Sequence, residues 1–193
     1  MEITNINQLD LNKTYTFADY LLWRFKERVE LIKGKVLKMS PAPATIHQKI
    51  SFRFGGIFYN FFKDKSCEVF SAPFDVRFSN SNGITNTVVQ PDLCVICDLS
   101  KIDKKGCIGA PDLIIEILSP GNSKNELSLK YNLYEEYGVL EYWIVHPLEK
   151  NIQIFVLEEG RFTGKKPITE DDNVTSYIFS NLNFPAKEIF ENL

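Results

Sequence analysis

The sequence predicts an α/β domain of the α+β kind: a mixed central β-sheet flanked by helices on both faces. Three observations carry that expectation. Residues 92–97 and 112–118 are short, rich in β-branched side chains and bounded by proline, which marks buried strands rather than helices. Side chains alternate across a strand, so Asp112, Ile114, Glu116 and Leu118 share one face and Leu113, Ile115 and Ile117 take the other. Both faces are apolar apart from the acids, as in a strand covered on both sides. Two amphipathic stretches, roughly 44–63 and 123–137, supply the covering helices.

The elements follow in order. Thr16, with Asp19 three residues on, caps a helix through about residue 27. Residues 29–39 read as a hairpin turning at Lys33-Gly34, with Glu30 at its start. Pro41 and Pro43 break the chain before the first long helix, whose buried face is Ile46, Ile50, Phe54, Ile57, Phe58 and Phe61. His47 flanks that face, and Gly55-Gly56 suggests close packing. Residues 67–79 read as one strand, with Asp75 between Phe74 and Val76, followed by a polar loop over 79–87. After the two central strands, Ser123 and Glu126 form a capping box and Gly138 a C-cap around the second long helix. A strand at 142–145 follows, parallel to the one before that helix, and 152–157 pairs next to it. The turn at 158–160, a strand at 174–179 and a short closing helix within 184–190 complete the chain.

The chain has 193 residues, 44% hydrophobic and 24% charged, which suits one domain, 1–193, with a sizeable core. No apolar run approaches the ~20 residues of a membrane span, and the first residues lack a signal-peptide pattern, so a cytoplasmic protein with no membrane partner is expected. Cys67, Cys94, Cys97 and Cys107 show no disulfide framework; buried free thiols are expected rather than a zinc site, because no second ligand pair follows Cys94 and Cys97. The net charge of −3 gives no global pull towards nucleic acid. Contact with it must rest on local patches: Lys33, Lys35 and Lys38 in the hairpin, and Lys101, Lys104 and Lys105 in the loop after the first central strand. Taken singly, each cluster also reads as solvated surface.

The chemistry lies where charge is set into apolar sequence. A buried carboxylate without a partner is costly, and Glu116 stands in mid-strand, with Asp92 at the entry to the other. In the second helix Leu127, Tyr131, Leu133, Tyr134 and Tyr137 form one stripe with Lys130 in its middle. A lysine there must snorkel or meet a carboxylate. Two acids and one inward lysine suit metal-dependent phosphodiester hydrolysis. The acids hold a hard cation, the cation polarises phosphate and water, and the lysine steadies developing charge. Asp112 follows a proline and reads as a strand-entry cap; Asp75 stays open. Glu30 is either a third acidic site residue or half of a hairpin salt bridge, and His47 is either a structural histidine or a phosphate contact.

At these residues the chain resembles a known group. The order of strand acid, mid-strand Glu and basic residue is similar to that of the PD-(D/E)XK nuclease superfamily. The segments M-S-P-A-P-A-T-I-H-Q, Q-P-D-L, G-A-P-D-L-I-I-E-I-L-S-P and Y-G-V-L-E-Y-W-I-V-H-P resemble its Uma-two family of restriction-endonuclease-like proteins, from about Thr16 to Leu157. The resemblance implies a restriction-endonuclease-like fold, DNA as substrate, Mg2+ (or Mn2+ as substitute) held by Asp92 and Glu116, and Glu30 as the family's acid at the hairpin. A homodimer stays open. Two departures stand out. The superfamily's lysine position, two residues after the second acid, is Leu118 here, so its role passes to Lys130, with Lys124 as the fallback. The closing segment carries His146-Pro147 where the family usually has Asp-Pro. The site implied is Asp92, Glu116, Lys130 and Glu30, with His47, Lys33, Lys35, Lys104 and Lys105 towards DNA. The rival expectation is a non-cleaving nucleic-acid-binding or regulatory protein that keeps the fold; hydrolysis of another phosphate compound is a third.

Overall fold

Residues 2–39, 44–119 and 124–193 are described by a computed structural model. The expected breaks at Pro41 and Pro43, the Ser123 cap and the side chain of Lys124 lie outside the described residues. In chain order the elements are α1 (Phe17–Tyr20), β1 (Val29–Ile32), β2 (Lys35–Lys38), α2 (Thr45–Phe62), β3 (Glu68–Ser71), β4 (Val76–Ser79), β5 (Thr85–Val89) and β6 (Leu93–Ile96). They continue as β7 (Ile102–Asp103), β8 (Gly106–Ile108), β9 (Leu113–Ile117), α3 (Lys124–Tyr137), β10 (Glu141–His146), β11 (Asn151–Glu158) and β12 (Arg161–Gly164). The last are β13 (Ile168–Thr169), β14 (Asn173–Thr175), β15 (Asn183–Pro185) and α4 (Lys187–Phe190).

The main sheet runs β12-β11-β10-β9-β6-β3, with β13 also on β11. It is mixed: β9 and β10 are parallel, joined through α3, while β6 pairs antiparallel with β9. All five residues of β9 are buried, and each buried Leu or Ile contributes about 1.5–3 kcal/mol. One face of the sheet packs Leu93, Val95, Ile115, Trp143 and Val145 against Ile50, Phe54, Phe58 and Phe62 of α2. The other packs Cys94, Ile96, Ile114 and Tyr142 against Leu133 and Tyr134 of α3. Helices therefore cover both faces, and Gly138, with φ +82°, ends α3.

A second sheet, not foreseen from the sequence, shares the α3 face. Its order is β2-β1-β5-β4-β8-β7, and Ile32, Val76, Phe78 and Val89 join the core beside α3. Its outer face carries Val29, Leu31 and Val88 against Ile6, Leu9, Tyr15 and Trp23 of the N-terminal segment. Leu31 and Val88 being paired neighbours, side-chain alternation turns Glu30, between Val29 and Leu31, towards the main sheet.

Several expectations are corrected. The Thr16–Asp19 capping box forms, but the helix stops at Tyr20: Leu22 and Arg24 give their backbone groups to Ile3, in a short bridge at Trp23, and cannot continue an i to i+4 ladder. The expected strand 67–79 is two strands in two sheets, parted at Pro73, which has no N–H to donate. The polar loop 79–87 shrinks because Thr85 already pairs with Ser79. The lysine loop is the β7–β8 hairpin, where Gly106 at φ +120° lies so close to Asp75 that a Cβ would stand 2.1 Å from its carbonyl oxygen. The strand 174–179 ends at Thr175, since Ser176, Tyr177 and Ile178 turn to the buried Glu141 carboxylate. Gly55 and Gly56 pack against nothing: a Cβ at either meets no atom within 4 Å. Finally, Cys67 and Cys97 are joined by a disulfide. The β3–β6 register, Glu68 opposite Ile96, puts them face to face one residue beyond. Only Cys94 and Cys107 are free, buried thiols.

Candidate active site

The main sheet presents Glu116 as the fourth of the five residues of β9, an inner strand that lies between β6 and β10. Its side chain shares the Ile114 face and looks towards α3 and the second sheet. On α3, Lys130 and Tyr134 are one turn apart and so lie on the same side. The Lys130 ammonium donates to Glu116 Oε1 at 2.9 Å, and the Tyr134 hydroxyl donates to the same oxygen at 2.7 Å. From the other side, Glu30 of β1 brings its Oε1 to 3.1 Å from Lys130 Nζ. The three charged residues are 8%, 6% and 3% exposed for Glu116, Lys130 and Glu30. The backbone N–H of Gln90 also donates to Glu30 Oε1, at 3.0 Å.

Asp92 stands at the entry to β6, at the edge of this cluster. Its Oδ2 accepts the Ile117 N–H at 2.8 Å, which ties the acid to the strand carrying Glu116. The same oxygen lies 3.1 Å from Nε2 of His47, in the first turn of α2. His47 is buried and its Nδ1 has no hydrogen-bond partner among the described residues. Nothing among the described residues hydrogen-bonds to Asp92 Oδ1 or Glu116 Oε2.

The electrostatics are unbalanced. Burial pushes the Glu116 carboxyl up to about 7, with Lys130 pulling it down and the charges of Asp92 and Glu30 pushing it up further. The Lys130 ammonium is held well above its ordinary value: burial opposes its charge, but Glu116 and Glu30 outweigh that. Two carboxylates thus share one lysine while a third, Asp92, acts on Glu116 beside them, and the surplus negative charge suits a cation. Among the described residues no three His, Cys, Asp or Glu are grouped to hold a metal. Magnesium, however, is commonly bound through only one or two carboxylates, with water and substrate phosphate completing its shell, and Asp92 and Glu116 are hard carboxylates of that kind, joined through the Ile117 N–H. The residues fit such an ion.

The structure therefore brings Glu30, His47, Asp92, Glu116 and Lys130 together. It does not bring the other expected contacts to them. Lys33 pairs with Glu136 at 2.5 Å, and Lys35 donates to the carbonyl of Asn12 at 2.7 Å. Lys104 and Lys105 sit in the β7–β8 turn at the far edge of the second sheet, with Lys105 over the ring of Phe17. Asp112 caps locally, accepting the Cys97 N–H at 2.7 Å. Asp75 accepts from Gln90 Nε2 at 2.8 Å. Tyr134 and Gln90 were missed as site residues. Tyr134 stood in the apolar stripe four residues from Lys130, and that spacing was the available signal; nothing in the sequence points Gln90 at Glu30.

No helix among the described residues is long and apolar enough to cross a membrane. Comparison with known proteins agrees with the fold. A crystal structure from Anabaena variabilis, described as "a putative nuclease belonging to DUF820", superposes with a TM-score of 0.71 at 20% identity, covering 91% of this chain and 97% of that one. A protein of Synechocystis sp., described as uncharacterized, is 26% identical over 140 residues, 71% of either chain. The profile of Uma2, described as "Putative restriction endonuclease", matches residues 17–186. This span contains every residue of the buried acid–lysine cluster, and the chain belongs to the Uma2 family.

Proposed function

We propose that the protein is a metal-dependent endonuclease that hydrolyses DNA phosphodiester bonds. The observation that carries this reading is the Glu116 carboxylate, buried in mid-sheet, with one oxygen held by Lys130 and Tyr134 and Asp92 tied beside it through the Ile117 N–H. A purely structural acid–lysine pair could be replaced as a whole by apolar side chains at little loss. An acid pair and a lysine converging at one sheet end has a use in phosphoryl transfer chemistry.

The residues divide the work as follows. Asp92 and Glu116 would hold magnesium, which when bound lowers the pKa of a water and offsets charge on the phosphate. Lys130 and Tyr134 occupy Glu116 Oε1 and so leave Oε2 to face the ion. Glu30 holds Lys130 in place from the second sheet. His47 orients Asp92 from α2. The Lys130 charge, close to the scissile phosphate, stabilises the charge that grows on it in the transition state.

The test is cleavage of supercoiled plasmid and of linear duplex with magnesium or manganese, comparing wild type with Asp92→Asn and Glu116→Gln. Metal-dependent nicking lost in both variants is expected. Equal nicking by all three proteins, or none by the wild type with either ion, would overturn the reading.

A further inference from the structure

Two adjacent glycines, Gly55 and Gly56, stand in the interior of α2. Glycine weakens a helix relative to alanine. Neither glycine has a positive φ, and a Cβ at either would meet no atom within 4 Å. No turn or contact within the described residues uses the missing side chains.

The glycines line a groove of about 380 Å³ that leads to the candidate site. Residues one helical turn apart share a line along the helix. His47, Ser51 and Gly55 therefore form one line of the groove, and Gln48, Phe52 and Gly56 run beside it. The rest of the lining is Ser71 and Ala72, at the end of β3, with Arg28 and Asp92. The Ala72 N–H donates to the Asp92 carbonyl at 3.2 Å, so the end of β3 is held next to that acid. Asp92 keeps 19% of its side-chain surface exposed, and a molecule lying in the groove can reach it. At the same end His47 is 7% exposed, and its Nδ1 has no partner among the described residues; the fold leaves that polar group unsatisfied.

The lining describes its occupant. Arg28 is exposed and has no ion pair among the described residues. Its guanidinium is fixed by two donations to Gln90 Oε1, at 2.7 and 3.2 Å. Guanidinium and hydroxyl groups are the usual contacts of phosphate and sugar, and Ser51 and Ser71 supply the hydroxyls. A helix face without Cβ atoms lets the main chain of another polymer come close. A second copy of α2 would want an apolar seam around the glycines, whereas Gln48, Ser51, Ser71 and Arg28 make this lining mostly polar.

We propose that this groove holds the sugar–phosphate backbone of the substrate strand next to the bond that is cut, with Arg28 on a neighbouring phosphate and Gly55-Gly56 against the sugars. The proposal rests on the nuclease reading and extends it by assigning the path of the strand. The strand runs along α2 to Asp92, not over the β7–β8 turn that carries Lys104 and Lys105. Contacts of this kind set position and carry no sequence information.

The test is anisotropy binding of a short labelled duplex with calcium in place of magnesium, alongside melting curves. Gly55→Ala should raise the melting temperature by about 2–4 °C, the usual gain of alanine over glycine in a helix. It should also weaken binding at least about fivefold, because the added methyl stands where the strand packs. A merely structural glycine would not give these opposite signs. Arg28→Gln should weaken binding and lower its salt dependence by about one phosphate contact. Ser71 is exposed, so a charge there should act on the strand without disturbing the fold. Ser71→Lys should tighten binding and Ser71→Glu weaken it, each about threefold, as for one charge near a phosphate in water. Wild-type affinity in Gly55→Ala or in Ser71→Glu overturns the proposal. So does a wild type that sediments as a dimer and is split by Gly55→Leu, since the groove then belongs to a second copy. If plasmid is nicked with magnesium or manganese and the groove variants bind and nick like the wild type, the groove assignment fails and the nuclease reading stands. If the groove variants shift binding as expected and the wild type cuts nothing with either ion, the nuclease reading fails and the groove stands as a nucleic-acid track.

Discussion

Replacing Lys130 by methionine removes the one ammonium shared by two buried carboxylates while keeping most of the stem's volume. Its Nζ lies 2.9 Å from Glu116 and 3.1 Å from Glu30. At an effective dielectric of about 20, each contact is a gross attraction of about 5–6 kcal/mol, largely offset by desolvation of the ions. Breaking such a pair from one side costs about 3–5 kcal/mol, because the remaining charges stay buried and unpaired. That cost depends on pH. In Lys130→Met the Glu116 carboxyl, already pushed up to about 7, can shed its charge by taking up a proton, so the penalty should be largest near pH 8 and shrink towards pH 5. Urea unfolding in EDTA at both pH values measures it. Cleavage should fall by about 10²–10³, as for one preorganised electrostatic group, whereas magnesium binding measured by calorimetry at pH 8.5 should persist, since a competing positive charge has gone. Wild-type stability at pH 8, or wild-type cleavage, in Lys130→Met would refute the reasoning.

Other outcomes follow from the same geometry. Glu116 has a folded-state value of about 7 against an ordinary 4.5, so the folded chain binds more protons between those values and metal-free stability should fall as pH rises from about 4.5 to 7. Melting curves in EDTA should show that slope, magnesium should reduce it, and Glu116→Gln should flatten it. Tyr134→Phe removes the 2.7 Å hydrogen bond to Glu116; it should cost about 1–2 kcal/mol and move the pH midpoint of magnesium binding upwards, because that bond favours the ionised acid. The Cys67–Cys97 link closes a separation of 30 residues, so Cys67→Ser should lose about 3–4 kcal/mol against the oxidised protein in guanidinium unfolding. Thiol titration of the unreduced, unfolded chain should find two reactive groups among its four cysteines; four would contradict the bond.

What the sequence determined by itself was whatever is encoded by local periodicity and by charge in an apolar setting. Alternation placed Glu116 on one face of a doubly covered strand, and the helical repeat placed Lys130 in the stripe that packs on that face. Both are short-range regularities, so β9, α2, α3 and β10 were legible within a residue or two. The β1–β2 hairpin was legible as well, because Lys33 and Gly34, both at positive φ, form the turn such a hairpin prefers.

The tertiary structure decided everything that depends on which segments meet. Glu30 was ambiguous in sequence because nothing local says that β1 belongs to a sheet packed over α3; only that packing sets its carboxylate on Lys130. The second sheet escaped notice because β7 and β8 are two and three residues long, too short for an alternation to register, and exist by pairing with each other and, through β8, with β4. The Cys67–Cys97 bond depended on the register of β3 against β6. Trp23 read as part of a helix until Ile3, about twenty residues earlier in sequence, claimed the backbone beside it and the helix ended at Tyr20. Pairing across long separations is chosen by the summed burial of many side chains, and no single stretch of sequence carries that sum.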